Sequence, residues 1–247
     1  MRKIYFILIS LLVSVSAQAN KVEADSAYAK NDFATAVELY ESILQNGDES
    51  AAIYYNLGNS YYKMDNIAKA VLNYERALLL TPGDSDIRFN LELAQSKTVD
   101  KVTPMSEMFF ITWIRSLTDM QSEKGWARTG IIAFILTILA LVLFIFGKQV
   151  ALKKIGFSAA IVCFILTILA NVFASDQKSE LLNHGNAIIM TPSVTVKSTP
   201  NESGTDLFIL HEGHKVKIKD NTMKEWKEIQ LEDGNVGWVP TSVIEII

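Results

Sequence analysis

Residues 54–82 read YYNLGNSYYKMDNIAKAVLNYERALLLTP. Small residues fall at Gly58, Ala70 and Ala77, and large ones at Tyr54, Leu57, Tyr61, Tyr74 and Leu78. That spacing predicts two antiparallel helices. The small side chains let the backbones approach closely, and the large ones fill the space between the helices and toward the next unit. Pro82-Gly83 stops the second helix. The pattern occurs twice. One constant offset places Ala24 on Gly58, Tyr28 on Tyr62, Phe33 on Ile67, Ala36 on Ala70 and Tyr40 on Tyr74. In the earlier copy Ala27 replaces an aromatic residue, Ile43 a small one and Asp48 the proline. A third stretch, Ser85 to Lys97, carries Phe89, Leu91 and Leu93 without the small residues, and it reads as a capping helix. Two repeats and a cap are short for an isolated stack, which usually needs about three. The helical part is therefore expected to lean on a partner or on the membrane.

This period, with aromatics and small residues at fixed offsets, resembles the tetratricopeptide (TPR) repeat. The resemblance covers 20–101, with repeats at about 20–49 and 51–84 and a capping helix at 85–98. It implies an all-α helical repeat whose first helices line a concave groove. By that analogy the peptide-binding groove residues are Tyr55, Asn56, Asn59, Tyr62 and Lys63, with Phe89 and Asn90 on the cap. Asn56 and Asn90 occupy equivalent places, one period apart. Asparagine amides can clamp a peptide backbone with donor and acceptor together. They can equally serve local hydrogen bonds, because polar groups on packed helices need partners in any case. Some TPR domains hold a C-terminal carboxylate with such asparagines and several cations. Here the first repeat offers acidic Asp25, and Lys63 is the one groove cation, which argues against that clamp.

Working toward the N-terminus, Arg2 and Lys3 precede an apolar run, Ile4 to Val15, and Ala17-Gln18-Ala19 is a small-x-small site. Residues 1–19 thus read as a secretory signal peptide, with an uncleaved anchor as the alternative. Removing them takes away two cations, so the net charge goes from −4 to −6. An acidic exported chain is a poor nucleic-acid binder. Cys163 is the single cysteine and lies in an apolar run. No intrachain disulfide or thiolate metal site follows.

Working toward the C-terminus, residues 104–126 carry Met105, Met108, Phe109, Phe110, Trp113, Ile114 and Leu117 among a few charges. With Trp113 and Trp126 this reads as an interfacial helix at a membrane surface, or else as a linker helix packed on protein. Residues 129–147 and 155–175 contain no charge, and each is long enough to cross a bilayer as a helix. Together they predict a transmembrane helical hairpin. Both contain Phe-Ile-Leu-Thr-Ile-Leu-Ala, at 134–140 and 164–170, which is either a packing face or apolar low complexity. The connection 148–154 holds Lys148, Lys153 and Lys154, so the positive-inside rule makes it a cytoplasmic loop. Both flanking parts are then outside, as the signal peptide independently requires.

From about Asn186 the composition turns to β. Stretches 194–197, 215–219, 225–229 and 236–239 read as strands, parted by Asp220-Asn221 and Asp233-Gly234-Asn235. Short strands at this density predict a small all-β barrel. Gly213 before Val216-x-Ile218, then Trp226 with Ile229, and Gly237-Trp238-Val239-Pro240 resemble a bacterial SH3-like domain over 187–247. Trp226 and Trp238 form either a ligand shelf or part of the barrel core.

No catalytic constellation emerges: there is no Gly-x-Ser-x-Gly, phosphate loop or Cys–His arrangement. His211-Glu212-Gly213-His214 lacks the i,i+4 spacing of a helical zinc motif. The reading is no enzyme, no metal and no cofactor. The order of signal, TPR pair, interfacial helix, two-span hairpin and SH3-like domain makes a multidomain membrane protein. It resembles the BatE-type proteins of the Bacteroides aerotolerance (Bat) family. That resemblance implies a periplasmic, inner-membrane interaction scaffold partnering von Willebrand A-domain Bat proteins, with a role in aerotolerance or envelope stress. The rival is a protein that binds or senses peptidoglycan through the SH3-like domain. Expected partners are therefore other membrane or periplasmic proteins, the lipid bilayer and, on the rival reading, cell wall.

Overall fold

A computed structural model of the chain describes residues 20–101, 108–183 and 185–247. The expected signal peptide, 1–19, and residues 104–107 of the expected interfacial helix lie outside the described residues. Five helices come first: α1 over 20–29, α2 (Phe33–Gln45), α3 (Ala51–Lys63), α4 (Ile67–Leu80) and α5 (Ser85–Ser96). Their starts and stops repeat as their sequence does. Asn31 and Asp65 are equivalent in the two repeats, and both take φ +61 after the first helix of a pair. That left-handed turn is tolerable for asparagine and aspartate and ends each helix. The next residues, Asp32 and Asn66, each accept a bond at 3.2 Å from the backbone N–H three residues on. Ser50 and Asp84 cap α3 and α5 in the same way.

Between the helices lies a core of Ala24, Ala36, Tyr40, Ile43, Leu57, Ala70, Tyr74, Ala77 and Leu91. Gly58 is required there. A Cβ at that position would stand 2.8 Å from the ring of Tyr74.

Seven strands form the C-terminal part: β1 (Asn186–Ile189), β2 (Ser193–Lys197), β3 (Asp206–His211), β4 (Lys215–Asp220), β5 (Trp226–Gln230), β6 (Val236–Pro240) and β7 (Ile244–Ile246). Their pairing order is β3-β2-β6-β5-β4-β1-β7, antiparallel in each described pair. This is an open sheet, which corrects the expected barrel: β3 and β7 are edges and do not pair with each other. The helices meet both edges instead. Asp100, just beyond α5, accepts the backbone N–H of His211 on β3 at 2.6 Å. Arg76 of α4 donates to the carbonyl of Ile246 on β7 at 2.6 Å and pairs with Glu245 at 3.1 Å. A charged side chain at each edge occupies main-chain groups that closure would otherwise have used.

The sheet and the helical repeats form one compact unit. Alternation along β1 explains how. Ala187 and Ile189 point into the sheet's own core with Val196, Val216, Ile229 and Val239, while Ile188 enters the helical core and is fully buried. Beside it Lys215 of β4 reaches Glu75 of α4 at 2.7 Å. The helical stack therefore leans on the chain's own C-terminal sheet.

The second unit contains α6 (Phe109–Thr118), α7 (Glu123–Phe146) and α8 (Val150–Asn183). The two long helices are apolar enough to cross a membrane. Their large side chains are mostly exposed, as a lipid-facing surface requires, and their mutual contact is made by small ones. A Cβ on Gly156 would lie 2.8 Å from the carbonyl oxygen of Ala140. Ala133 and Thr137 of α7, and Ala160 and Ala170 of α8, are buried in the same seam. The two copies of the heptapeptide bury different positions, the threonine in α7 and the last alanine in α8, so the duplication is not a shared packing face and low complexity accounts for it. Helix boundaries extend past the uncharged stretches. The turn between the helices is 147–149, and Lys153 and Lys154 sit in the first turns of α8. Trp126 is buried at the α6–α7 corner, where its Nε1 donates to the carbonyl of Thr118 at 2.7 Å and its ring meets Phe173 edge-on. Trp113 on α6 is exposed.

Replacing Gly58 with valine drives side-chain atoms into a buried tyrosine whose hydroxyl is tied at its far end. Overpacking of this kind costs about 1–3 kcal/mol. The full chain in detergent should then unfold at a lower temperature by circular dichroism. An unchanged transition would show that the repeat tolerates a side chain there.

Candidate functional site

One hydrogen-bonded knot occurs twice, at equivalent positions of successive repeats. In the first copy Asp25 Oδ1 accepts from Tyr40 Oη at 2.5 Å and from Asn56 Nδ2 at 3.1 Å. In the second, Asn59 Oδ1 accepts from Tyr74 Oη at 2.7 Å and from Asn90 Nδ2 at 3.4 Å. Each knot ties the first helix of one pair to the second helix of that pair and to the first helix of the next. The equivalence of Asn56 and Asn90 in the sequence therefore has a structural reason.

The two copies differ in charge. Asp25 keeps a second carboxylate oxygen, which Lys21 holds at 2.7 Å. Burial pushes the Asp25 carboxyl up, but the bonds from Lys21, Tyr40 and Asn56 and the charge of Lys21 together outweigh it, and the group titrates below its ordinary value. Burial likewise raises the Tyr74 hydroxyl, helped by the neighbouring tyrosines, so Tyr74 remains a donor. At Asn59 the second atom is an amide nitrogen instead, and it has no acceptor among the described residues.

Asn59 also lines a pocket of about 260 Å³ that α1, α3, α4 and α5 form together. Of the residues expected in the groove, Tyr55, Asn59, Tyr62, Lys63 and Asn90 line it. Asn90 Nδ2 also donates to Tyr55 Oη at 2.6 Å. Asn56 is not in the lining and is engaged with Asp25. Phe89 is not in the lining either, and it is 65% exposed on α5. Three further residues join, beyond those the sequence places in the groove: Tyr28, Tyr74 and Leu93. Tyr28 stands one repeat before Tyr62, so the period itself points to it. Tyr74 reads as a packing residue, and it serves that role as well. Leu93 carries no signal in the sequence beyond its place on the cap.

On the sheet, Trp226 and Trp238 share a face. Trp226 is opposite Pro240 and Trp238 is opposite Glu228 on neighbouring strands. Ile229 and Val239 are fully buried on the other face, whereas both tryptophans are half-buried. They lie outside the sheet's hydrophobic core. His211 is held by Asp100, its Nδ1 lying 2.8 Å from the carboxylate. His214 is buried, and that burial lowers its pKa. Among the described residues, no three His, Cys, Asp or Glu side chains converge on a metal-sized site.

A family model of the tetratricopeptide repeat matches residues 51–84, which span α3 and α4. No curated protein matches the chain. Tetratricopeptide repeats are interaction modules without catalytic activity of their own, so this chain carries a protein-interaction element beside two helices able to span a membrane.

The first knot makes a pH prediction. Asp25 titrates lower in the folded chain than its ordinary 3.8, so its contribution to stability is full above that value. The contribution is lost as pH falls through the lower folded value. Asp25→Asn should therefore melt earlier than the parent at neutral pH, and the gap should shrink under acid conditions. A constant gap down to strongly acidic pH would contradict the assignment.

Proposed function

We propose that this chain is a membrane-anchored scaffold that recruits proteins through the concave face of its repeats, with the repeats and the sheet on the periplasmic side of a bacterial inner membrane. The observation that carries the first part is the pocket itself, which gathers Tyr55, Asn59, Tyr62, Lys63 and Asn90 from two helices of the repeat array. Sidedness rests on two features. Lys148 stands in the short turn of the hairpin, with Lys153 and Lys154 beside it, which favours an inner-face location. The repeats and the sheet also fold as one compact unit although the hairpin separates them in sequence, so both ends of the hairpin belong to one compartment. By resemblance of its architecture, the partners are von Willebrand A-domain Bat proteins in a complex linked to aerotolerance or envelope stress.

Two measurements test this. A photo-reactive side chain at position 62 should cross-link to a von Willebrand A-domain membrane protein in intact cells, and one at exposed Glu38 should not. Equal yields from both positions would remove the groove from the mechanism. In a Cys163→Ala background, Ser203→Cys should react with a membrane-impermeant maleimide in spheroplasts, whereas Gln149→Cys should react only after lysis. The reverse labelling pattern would overturn the proposed sidedness.

A second reading keeps some support from the sheet. The shared face of Trp226 and Trp238 lies outside the hydrophobic core, which suits a peptidoglycan-binding shelf. Sedimentation of the solubilised full chain with purified cell wall, and its loss in Trp226→Ala plus Trp238→Ala, would favour that role.

A further inference from the structure

We infer that α6 lies in the surface of the bilayer, with Phe109, Phe110, Trp113 and Ile114 sunk among the acyl chains beside the hairpin. This rests on the membrane-anchored part of the reading above and adds a second element that meets lipid. The sequence leaves two fates open for this helix, a membrane surface or a linker packed on protein. In the structure its apolar side chains are uncovered among the described residues. All four are exposed, Phe109 at 85% and Trp113 at 65%. On helical spacing Phe109, Phe110, Trp113, Ile114 and Leu117 fall on one side of α6. Thr112, Arg115 and Ser116 fill the opposite side. A continuous apolar face left open in this way marks an interaction surface.

What covers that face follows from where the helix ends. The carbonyl of Thr118, its last residue, accepts Trp126 Nε1 of α7 at 2.7 Å and Gln177 Nε2 of α8 at 3.3 Å. Gln177 Nε2 also donates to Asp119 Oδ1 at 3.2 Å. Thr118, Trp126 and Gln177 are all buried at this corner. Trp126 and Gln177 each stand within one helical turn of the uncharged stretches 129–147 and 155–175, at the ends remote from the lysine-bearing turn. The end of α6 is therefore pinned at the rim of the hydrocarbon, at the level of the headgroups. Its 10 residues are too few to cross a bilayer. Lying along the rim puts the apolar face against acyl chains and leaves Thr112, Arg115 and Ser116 to headgroups and water. Standing away from the membrane would leave Phe109 and Trp113 in water, and entering the hydrocarbon would bury Arg115. Tryptophan at position 113 suits the headgroup level.

The test reconstitutes the full-length chain, in the Cys163→Ala background, into vesicles of phosphatidylcholine and phosphatidylglycerol, with a nitroxide on one introduced cysteine. Electron paramagnetic resonance reads how strongly the label is relaxed by oxygen, which concentrates in lipid, and by a water-soluble nickel chelate present on both sides. Ile138→Cys, on the exposed side of α7, marks the hydrocarbon. Trp113→Cys and Phe109→Cys should favour oxygen as that position does, and Ser116→Cys should favour nickel. Should Trp113→Cys fail to fold, Phe109→Cys reads the same face. Labels at 113 and 109 that favour nickel place the apolar face in water and overturn the inference. Labels there shielded from both reagents overturn it as well, because protein then covers the face. Nickel preference at Ile138→Cys removes the spanning hairpin, and this inference with it. Oxygen preference at 138 with nickel preference at 113 and 109 removes this inference alone.

Discussion

A single side-chain oxygen that accepts from a tyrosine hydroxyl and an asparagine amide sets the geometry of the helical repeats. At Asp25 and again at Asn59 it binds three helices at once. Each neutral bond contributes about 0.5–1.5 kcal/mol, and bonds to an ionised acceptor contribute more. The larger consequence is geometric. Two donors that converge on one atom hold each helix pair against the first helix of the next. Tyr40 and Tyr74 can supply such donors because their rings occupy the core while their hydroxyls emerge at its edge. Tyr74 therefore both packs in the core and lines the pocket.

The knots order the repeats side by side but leave the outer flank of α4 without a neighbouring repeat. Ile188 covers that flank from the sheet, and the neighbouring residues Glu75 and Arg76 anchor two different strands. Glu75 is largely buried, and Lys215 pairs with it at 2.7 Å. Removing the lysine would strand a carboxylate in a dry setting, which costs far more than the pair itself gains. Arg76 is more exposed, and its chief effect is to occupy an edge carbonyl of β7. Asp100 does the equivalent at β3. Each edge of the open sheet thus has one main-chain group engaged by a charged side chain from the helical part of the unit.

Local features are legible in the sequence because local physics produces them. The repeat period recurs in the caps and in the left-handed turns at Asn31 and Asp65, since each is settled by residues within one turn. The four alternating strands can be read in the same way. By contrast β3 is a nearly continuous apolar run, Leu207 to Leu210, without alternation, and β1 and β7 are too short to show a period. The docking of sheet on repeats is not legible. Glu75 and Lys215 are far apart in the chain, and neither has a neighbour that announces the other. Lys215 stands in a clean strand pattern and Glu75 on a helix face, where a solvated surface is the ordinary reading. In the candidate groove, five residues can be placed because the first helix of each pair is set by the period. Asn56 cannot be separated from Asn59 on that basis: one turn apart on one face, they differ only in which partner each finds.

That difference traces to one exchange between repeats. Where the first repeat has Asp25, the second has Asn59, and the knot tolerates either because it uses only the shared oxygen. The spare atom is what changes. On aspartate it is an acceptor, already held by Lys21. On asparagine it is a donor with nothing to meet. A stack of two like repeats thereby acquires one closed position and one open position, and Asn59 of the open one is among the residues that line the tyrosine-rich pocket. Position along the stack, and not the fold as such, decides which side-chain atom each knot leaves open.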